Sequence, residues 1–172
     1  MFSFFSTQKV KRVLLAGLVL VLLAGFLSGC KNEVEDESTT GLPSSLVGKW
    51  VSSYGDFYEI AGSGNTGTLK YDTNGYGISQ GNIRDVTNFN DKSGVIIVQY
   101  TSGHTNTAKP FGAVYYMNLV PGVSIGLSNA WDATAADYDA NTATLQEAIG
   151  KFTQGNIGTY LDVGQVPTYT KQ

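Results

Sequence analysis

Leu46-Val-Gly-Lys-Trp-Val-Ser-Ser-Tyr-Gly-Asp-Phe-Tyr-Glu-Ile-Ala61 decides how this chain is read. Val47–Ser53 and 56–61 form two short runs on either side of Tyr54-Gly55, a tight-turn pair. In the second run Phe57, Glu59 and Ala61 alternate with Tyr58 and Ile60. That is the period of a half-buried strand and not of a helix.

The pattern continues downstream. Gly62-Ser-Gly-Asn65 is turn chemistry, Gly67–Tyr71 reads as a third strand, and Asn74-Gly75 is a hairpin-type dipeptide. A fourth strand is expected within 76–86, interrupted at Gly81. The run Val95-Ile-Ile-Val-Gln-Tyr100 is apolar on both faces until Gln99, which suits a strand covered on both sides. Further strands are expected at Phe111–Val120, at Ser124–Leu127 and at Gly158–Val163. Between the last two, Leu145, Ala148, Ile149 and Phe152 fall on one helical face within 142–153. Thr144 and Glu147 have capping-box spacing at its start, and Gly155 lies just past its end. The expected fold is mainly β: an antiparallel meander closing into a barrel or sandwich, with one amphipathic helix near the C-terminus followed by a short strand.

Upstream the composition changes. Lys9, Lys11 and Arg12 precede the uncharged stretch Val13–Phe26, and small residues lead to Cys30, the single cysteine of the 172 residues. A basic start, an apolar run shorter than the roughly 20 residues of a spanning helix, and a small-residue exit describe a secretory signal. A short uncleaved anchor is the alternative. Leu27-Ser28-Gly29-Cys30 resembles the lipobox of bacterial lipoproteins at all four positions. The resemblance implies lipid transfer to the Cys30 sulfur and cleavage after Gly29. Each buried methylene contributes about 0.8 kcal/mol, so two or three acyl chains hold essentially permanently. Lys31 rather than aspartate follows the cysteine. By the same resemblance, that fits the outer membrane or cell surface better than the inner membrane.

Residues 1–29 are thus expected to be a removed signal, 30–45 a lipid-anchored acidic spacer, and 46–172 one β-rich domain. The spacer Lys31–Ser45 carries four acids and one base without apolar periodicity, which does not offset chain entropy. The domain has ten acids and seven bases, arguing against nucleic acid as a partner. It has no cysteine, so it stands without disulfides.

Gly48-Lys49-Trp50 resembles the Gly-x-Trp signature of lipocalins and lipocalin-like lipoproteins, and the late helix followed by one strand is similar too. In that family the tryptophan plugs the closed end of the barrel and a ligand enters at the other. Only Gly48 and Trp50 carry over, as structural positions. About seven strands precede the helix where the family has eight. Arg84 is the only arginine after the cysteine and lies far from the end, where the family places one over the tryptophan.

No catalytic set is visible. His104 stands alone in the polar loop Thr101–Lys109 and reads as a solvated loop residue. No His-x-x-x-His or cysteine pair supports zinc. Asp137-Tyr-Asp139-Ala-Asn141 alternates oxygen ligands but lacks the glycine and glutamate of a calcium loop, and Asp72–Gly77 fails similarly, so turn chemistry explains both. Asp56, Glu59, Asp85 and Asp162 are carboxylates that strands can bring together. The expected function is a non-enzymatic ligand-binding lipoprotein with no cofactor, its partners the membrane through acylated Cys30 and a small hydrophobic or aromatic ligand. The alternatives are a surface interaction protein using strand faces and loops, and a small hydrolase or inhibitor.

Overall fold

The computed structural model describes residues 40–103, 107–135 and 140–172, all within the compact unit Asp36–Gln172. The lipobox, His104, Asp137 and Asp139 lie outside the described residues. Eight antiparallel strands close a barrel in sequence order: β1 Gly48–Ser52, β2 Phe57–Ser63, β3 Thr66–Asp72, β4 Ile78–Asn90, β5 Ser93–Ser102, β6 Phe111–Val120, β7 Ser124–Asn129 and β8 Thr168–Lys171. Closure leaves no free sheet edge. Seven strands precede the helical segment, and β8 returns after it to pair with both β1 and β7. The mainly β expectation holds, and barrel rather than sandwich is the outcome.

β5 shows why the run Val95–Tyr100 is apolar on both faces. Ile96 and Val98 point into the barrel with Trp50, Tyr58, Ile60, Leu69, Val114 and Leu127. Val95 and Ile97 point outward, where they meet Ala113, Tyr115, Ala148, Phe152 and Leu161. The outer layer comes from helix α1, Leu145–Lys151, which packs on β5 and β6. Its capping box forms as expected: the Glu147 amide donates to the Thr144 side chain, and the Glu147 carboxylate accepts from the Thr144 amide.

Three local expectations are corrected. The helix is shorter than the expected 142–153: it runs from Leu145 to Lys151, with Phe152 as its C-cap. Gly158–Val163 is no strand: α2, Ile157–Tyr160, is a helical turn, and the last strand is Thr168–Lys171. The fourth strand does not break at Gly81 but runs to Asn90 with a register shift at Gln80/Gly81. Gly81 permits that shift, since a Cβ there would lie 2.3 Å from the Gln99 carbonyl oxygen.

The two ends of the barrel differ. Thr40 to Leu46 crosses one end, although the composition of 31–45 placed this stretch in the spacer. Thr40 bridges Thr87, Leu42 bridges Gly64, and Leu42 and Leu46 are buried. The Asn88 amide nitrogen donates to the Gly41 carbonyl at 2.9 Å, and the Tyr116 hydroxyl donates to Asn88 Oδ1. Beneath this strap lies Trp50, fully buried, its indole N–H donating to the Leu46 carbonyl at 2.8 Å. This is the sealed end. The β1–β2, β3–β4 and β5–β6 loops emerge at the opposite, loop end.

Candidate functional site

Alternation along four strands places Tyr58, Tyr71, Tyr100 and Tyr169 inside the barrel toward the loop end. Tyr58 and Tyr71 face each other across β2 and β3 and stack with centroids 4.4 Å apart. Tyr169 meets Tyr58 edge-on at 5.2 Å. Offset and edge-on geometries are those that aromatic quadrupoles favour. The Tyr71 hydroxyl is hydrogen-bonded to that of Tyr169.

Asp56 sits where this cluster meets the β1–β2 loop. Tyr169 donates to its Oδ2 at 2.7 Å, and the Ser52 hydroxyl donates to its Oδ1. Burial works against the charge, yet these two donors outweigh it and hold the carboxyl below its ordinary value of 3.8. The phenols respond in the opposite direction. Burial raises Tyr58 well above 10.0, raises Tyr169 likewise with help from its bond to Asp56, and pushes Tyr100 up to about 12. The cluster at neutral pH is therefore one carboxylate held by neutral hydroxyls.

Its effect is to fix two loops. Ser52 Oγ also accepts from the Tyr54 amide at 3.1 Å, so the carboxylate anchors the loop that carries Tyr54. The Asn74 side-chain amide donates to the Tyr54 carbonyl at 2.9 Å, tying the β1–β2 loop to the β3–β4 loop. In the latter, Asn74 and Gly75 both have positive φ, at 53° and 92°, the backbone of the hairpin turn their sequence announces. At the tips, Tyr54 is 81% exposed and Tyr76 95% exposed, with Ile78 beside them at the start of β4. Two large apolar rings are thus held in water on mutually braced loops.

The other sequence candidates are not brought together. Glu59 is exposed on the outer face of β2, Asp85 accepts from Thr87, and Asp162 accepts from the Gly164 amide at 3.1 Å. Asn141 lies against Gly112, where a Cβ would sit 2.5 Å from its Oδ1. Among the described residues no three His, Cys, Asp or Glu side chains form a metal-binding group. Three cavities lined by described residues lie on the outer surface. They measure about 420 Å³ over β2–β4 around Glu59, Lys70 and Gln80, about 440 Å³ beside Trp131, and about 260 Å³ along β6–β7.

Sequence reasoning missed Lys171. Its Nζ lies over the Trp50 ring at 5.0 Å and donates to the Val47 carbonyl at 2.7 Å. Where the lipocalin pattern sets an arginine over the tryptophan, this chain sets a lysine, next to last in sequence. Gly48 makes room for it, because its φ is +132° and a Cβ would lie 2.9 Å from Lys171 Cε. The Asp56–Tyr169 bond, spanning 113 residues, was equally invisible. No protein-family model, curated protein or solved structure matches the chain.

Proposed function

We propose that this protein is a lipid-anchored, non-enzymatic interaction module that presents Tyr54 and Tyr76 to a macromolecule at the cell envelope. One observation carries the reading: Thr40 bridges Thr87 at the sealed end, whereas the two most exposed aromatic rings among the described residues, Tyr54 and Tyr76, stand on braced loops at the other. A tether from Cys30 would join the barrel at Thr40, on its sealed end, and so leaves the loop end free. Exposed aromatic rings are costly to hold in water and are the side chains that anchor interfaces, and bracing them beforehand reduces the ordering cost of binding. The occupied Asp56 supports a structural role for the carboxylate over a hydrolytic one. The sealing of one end by Gly48, Trp50 and Lys171 supports kinship with lipocalin-like lipoproteins.

The test is capture of envelope polysaccharide and protein fractions by the immobilised mature protein, compared with the Tyr54→Ala/Tyr76→Ala double variant. Loss of the captured component in the double variant, with unchanged circular dichroism, supports the reading. Equal capture by both proteins ends it.

A small-ligand reading draws on Asn129, whose Oδ1 is buried without a partner among the described residues. Asn129 follows the inward-facing Ile125 and Leu127 by strand alternation and ends β7 at the loop end. A donor group from a small aromatic ligand reaching that oxygen would engage the tyrosine cluster as well. A crystal structure of the protein isolated from its host, read for density at Asn129, distinguishes this from the loop-tip reading.

A further inference from the structure

The sealed end carries an apolar surface of its own. The turn between β6 and β7 projects Val120, 48% exposed, and Val123, 59% exposed, on either side of Pro121-Gly122. Beside Val120 opens the furrow of about 260 Å³ along β6–β7, lined by Met117, Ile125, Val163 and Val166 among others. Val163 adds a side chain 53% exposed. The turn is held firmly. The Val123 amide donates to the Val120 carbonyl at 2.9 Å, the Lys171 amide donates to the Val123 carbonyl at 3.1 Å, and the Leu119 amide donates to the Lys92 carbonyl at 3.1 Å. Asp91 and Lys92 on the neighbouring β4–β5 turn offset each other in charge. The tip is rigid and uncharged, and holds two valines in water beside the furrow.

What covers it follows from the anchor of the proposed function and the place of Thr40. Thr40 lies at this same end, and ten residue steps separate it from Cys30. Such a length spans at most about 35 Å fully extended. We infer that the β6–β7 turn, Val120 to Val123, and the apolar furrow beside it rest in the headgroup–acyl boundary of the bilayer. This rests on the lipid anchor of the proposed function. The tether makes the contact intramolecular, so weak apolar insertion suffices to orient the barrel: burying a valine contributes about 1.5 kcal/mol or more, and no entropy of free diffusion is lost a second time. The result is a barrel standing on its sealed end, with Tyr54 and Tyr76 uppermost.

The single cysteine makes the test clean. The full-length acylated protein, with Val123→Cys or Val120→Cys labelled by a polarity-sensitive nitrobenzoxadiazole dye, is reconstituted into vesicles of phosphatidylethanolamine and phosphatidylglycerol. Tyr76→Cys at the loop end serves as the comparison site. The dye at 123 and at 120 is expected to brighten roughly twofold or more on vesicles and to be quenched by acyl-chain spin-labelled lipid, while the dye at 76 does neither. Protein that floats with vesicles but shows no quenching at 123 or 120 overturns the inference while leaving the anchor intact. Brightening without lipid quenching places a protein surface, such as a second copy, on the patch and overturns it too. Failure of the unlabelled protein to float with vesicles at all overturns the anchor, and the inference with it.

Discussion

The Lys171 ammonium lies 5.0 Å from the centre of the Trp50 ring, and the two residues are register partners across β8 and β1. The same nitrogen donates to the Val47 carbonyl at 2.7 Å and to that of Ser45 at 3.4 Å. One side chain therefore closes the barrel seam, covers the plug and pins the strap. Trp50→Ala is expected to destabilise by about 3–5 kcal/mol, as large buried aromatics do on truncation. Lys171→Ala should lose about 1–2 kcal/mol, from a cation–π contact and a charge-assisted hydrogen bond. Urea unfolding of both variants measures the difference. A Lys171→Ala midpoint equal to the parent's contradicts this assignment.

Asp56 predicts an acid dependence. Its folded-state pKa lies below its unfolded value, so its stabilising contribution is present above about 3.8 and is lost as pH falls through the folded-state value. Asp56→Asn should unfold at a lower temperature than the parent at neutral pH, with the gap narrowing in acid below that range. Tyr169→Phe removes one donor to Asp56 and the bond to Tyr71, and should cost about 1–2 kcal/mol. Thermal melts of the three proteins across pH are the measurement.

At the alkaline side the sign reverses. Tyr58, Tyr116 and Tyr169 are held above 10.0 chiefly by burial, and Tyr100 is pushed up to about 12. A folded pKa above the unfolded one gives stability that is complete below pH 10 and drains as pH rises through the folded-state values. A phenolate absorbance titration should show a late, cooperative step coinciding with loss of circular dichroism. Ionisation of all ten tyrosines in one gradual transition centred on the ordinary value would contradict it.

Tyr115→Phe is expected to stabilise. The Tyr115 hydroxyl is fully buried between the outer face of β6 and the helical layer, with no hydrogen-bond partner among the described residues. Phe152 approaches its ring edge-on at 6.5 Å, and Phe89 lies 6.4 Å away. An unpaired buried hydroxyl costs about 1–3 kcal/mol, so deleting it while keeping the ring should raise the urea midpoint by about 1 kcal/mol or more of stability. A drop in the midpoint shows that the oxygen has a partner in solution.

Cys30→Ser should move the protein from the detergent-extracted membrane fraction to the aqueous fraction of its host, and mass spectrometry of the parent should find acyl chains on a mature N-terminus at Cys30. A mature N-terminus anywhere else removes the basis of the anchoring proposal.

The strands were legible where one face is wet and the other dry. Phe57–Ala61 alternates because Tyr58 and Ile60 line the interior and Glu59 faces water, and the β5 run is doubly apolar because α1 covers its outer side. Asn74-Gly75 and the Thr144/Glu147 box were legible because turns and caps depend on residues a few positions apart. Gly158–Val163 deceived because its short apolar alternation fits a helical turn seated on the outer core as well as a strand. Thr40–Ser45 deceived because composition averages over a segment, while buried Leu42 and a few backbone bonds to Gly64, Val86 and Thr87 hold it against the barrel.

By itself the sequence determined the β periodicity, most of the turn positions and the amphipathic helix, all of which are local patterns set by backbone geometry and the partition of side chains between water and core. Only the tertiary structure decided that the meander closes through β8, that Lys171 rather than an arginine covers Trp50, and that Asp56 is claimed by Tyr169 and Ser52. Apart from the Ser52–Asp56 bond, those relationships join residues more than a hundred positions apart. Their energy depends on distance and orientation across the closed barrel, which no neighbouring residues in the chain encode.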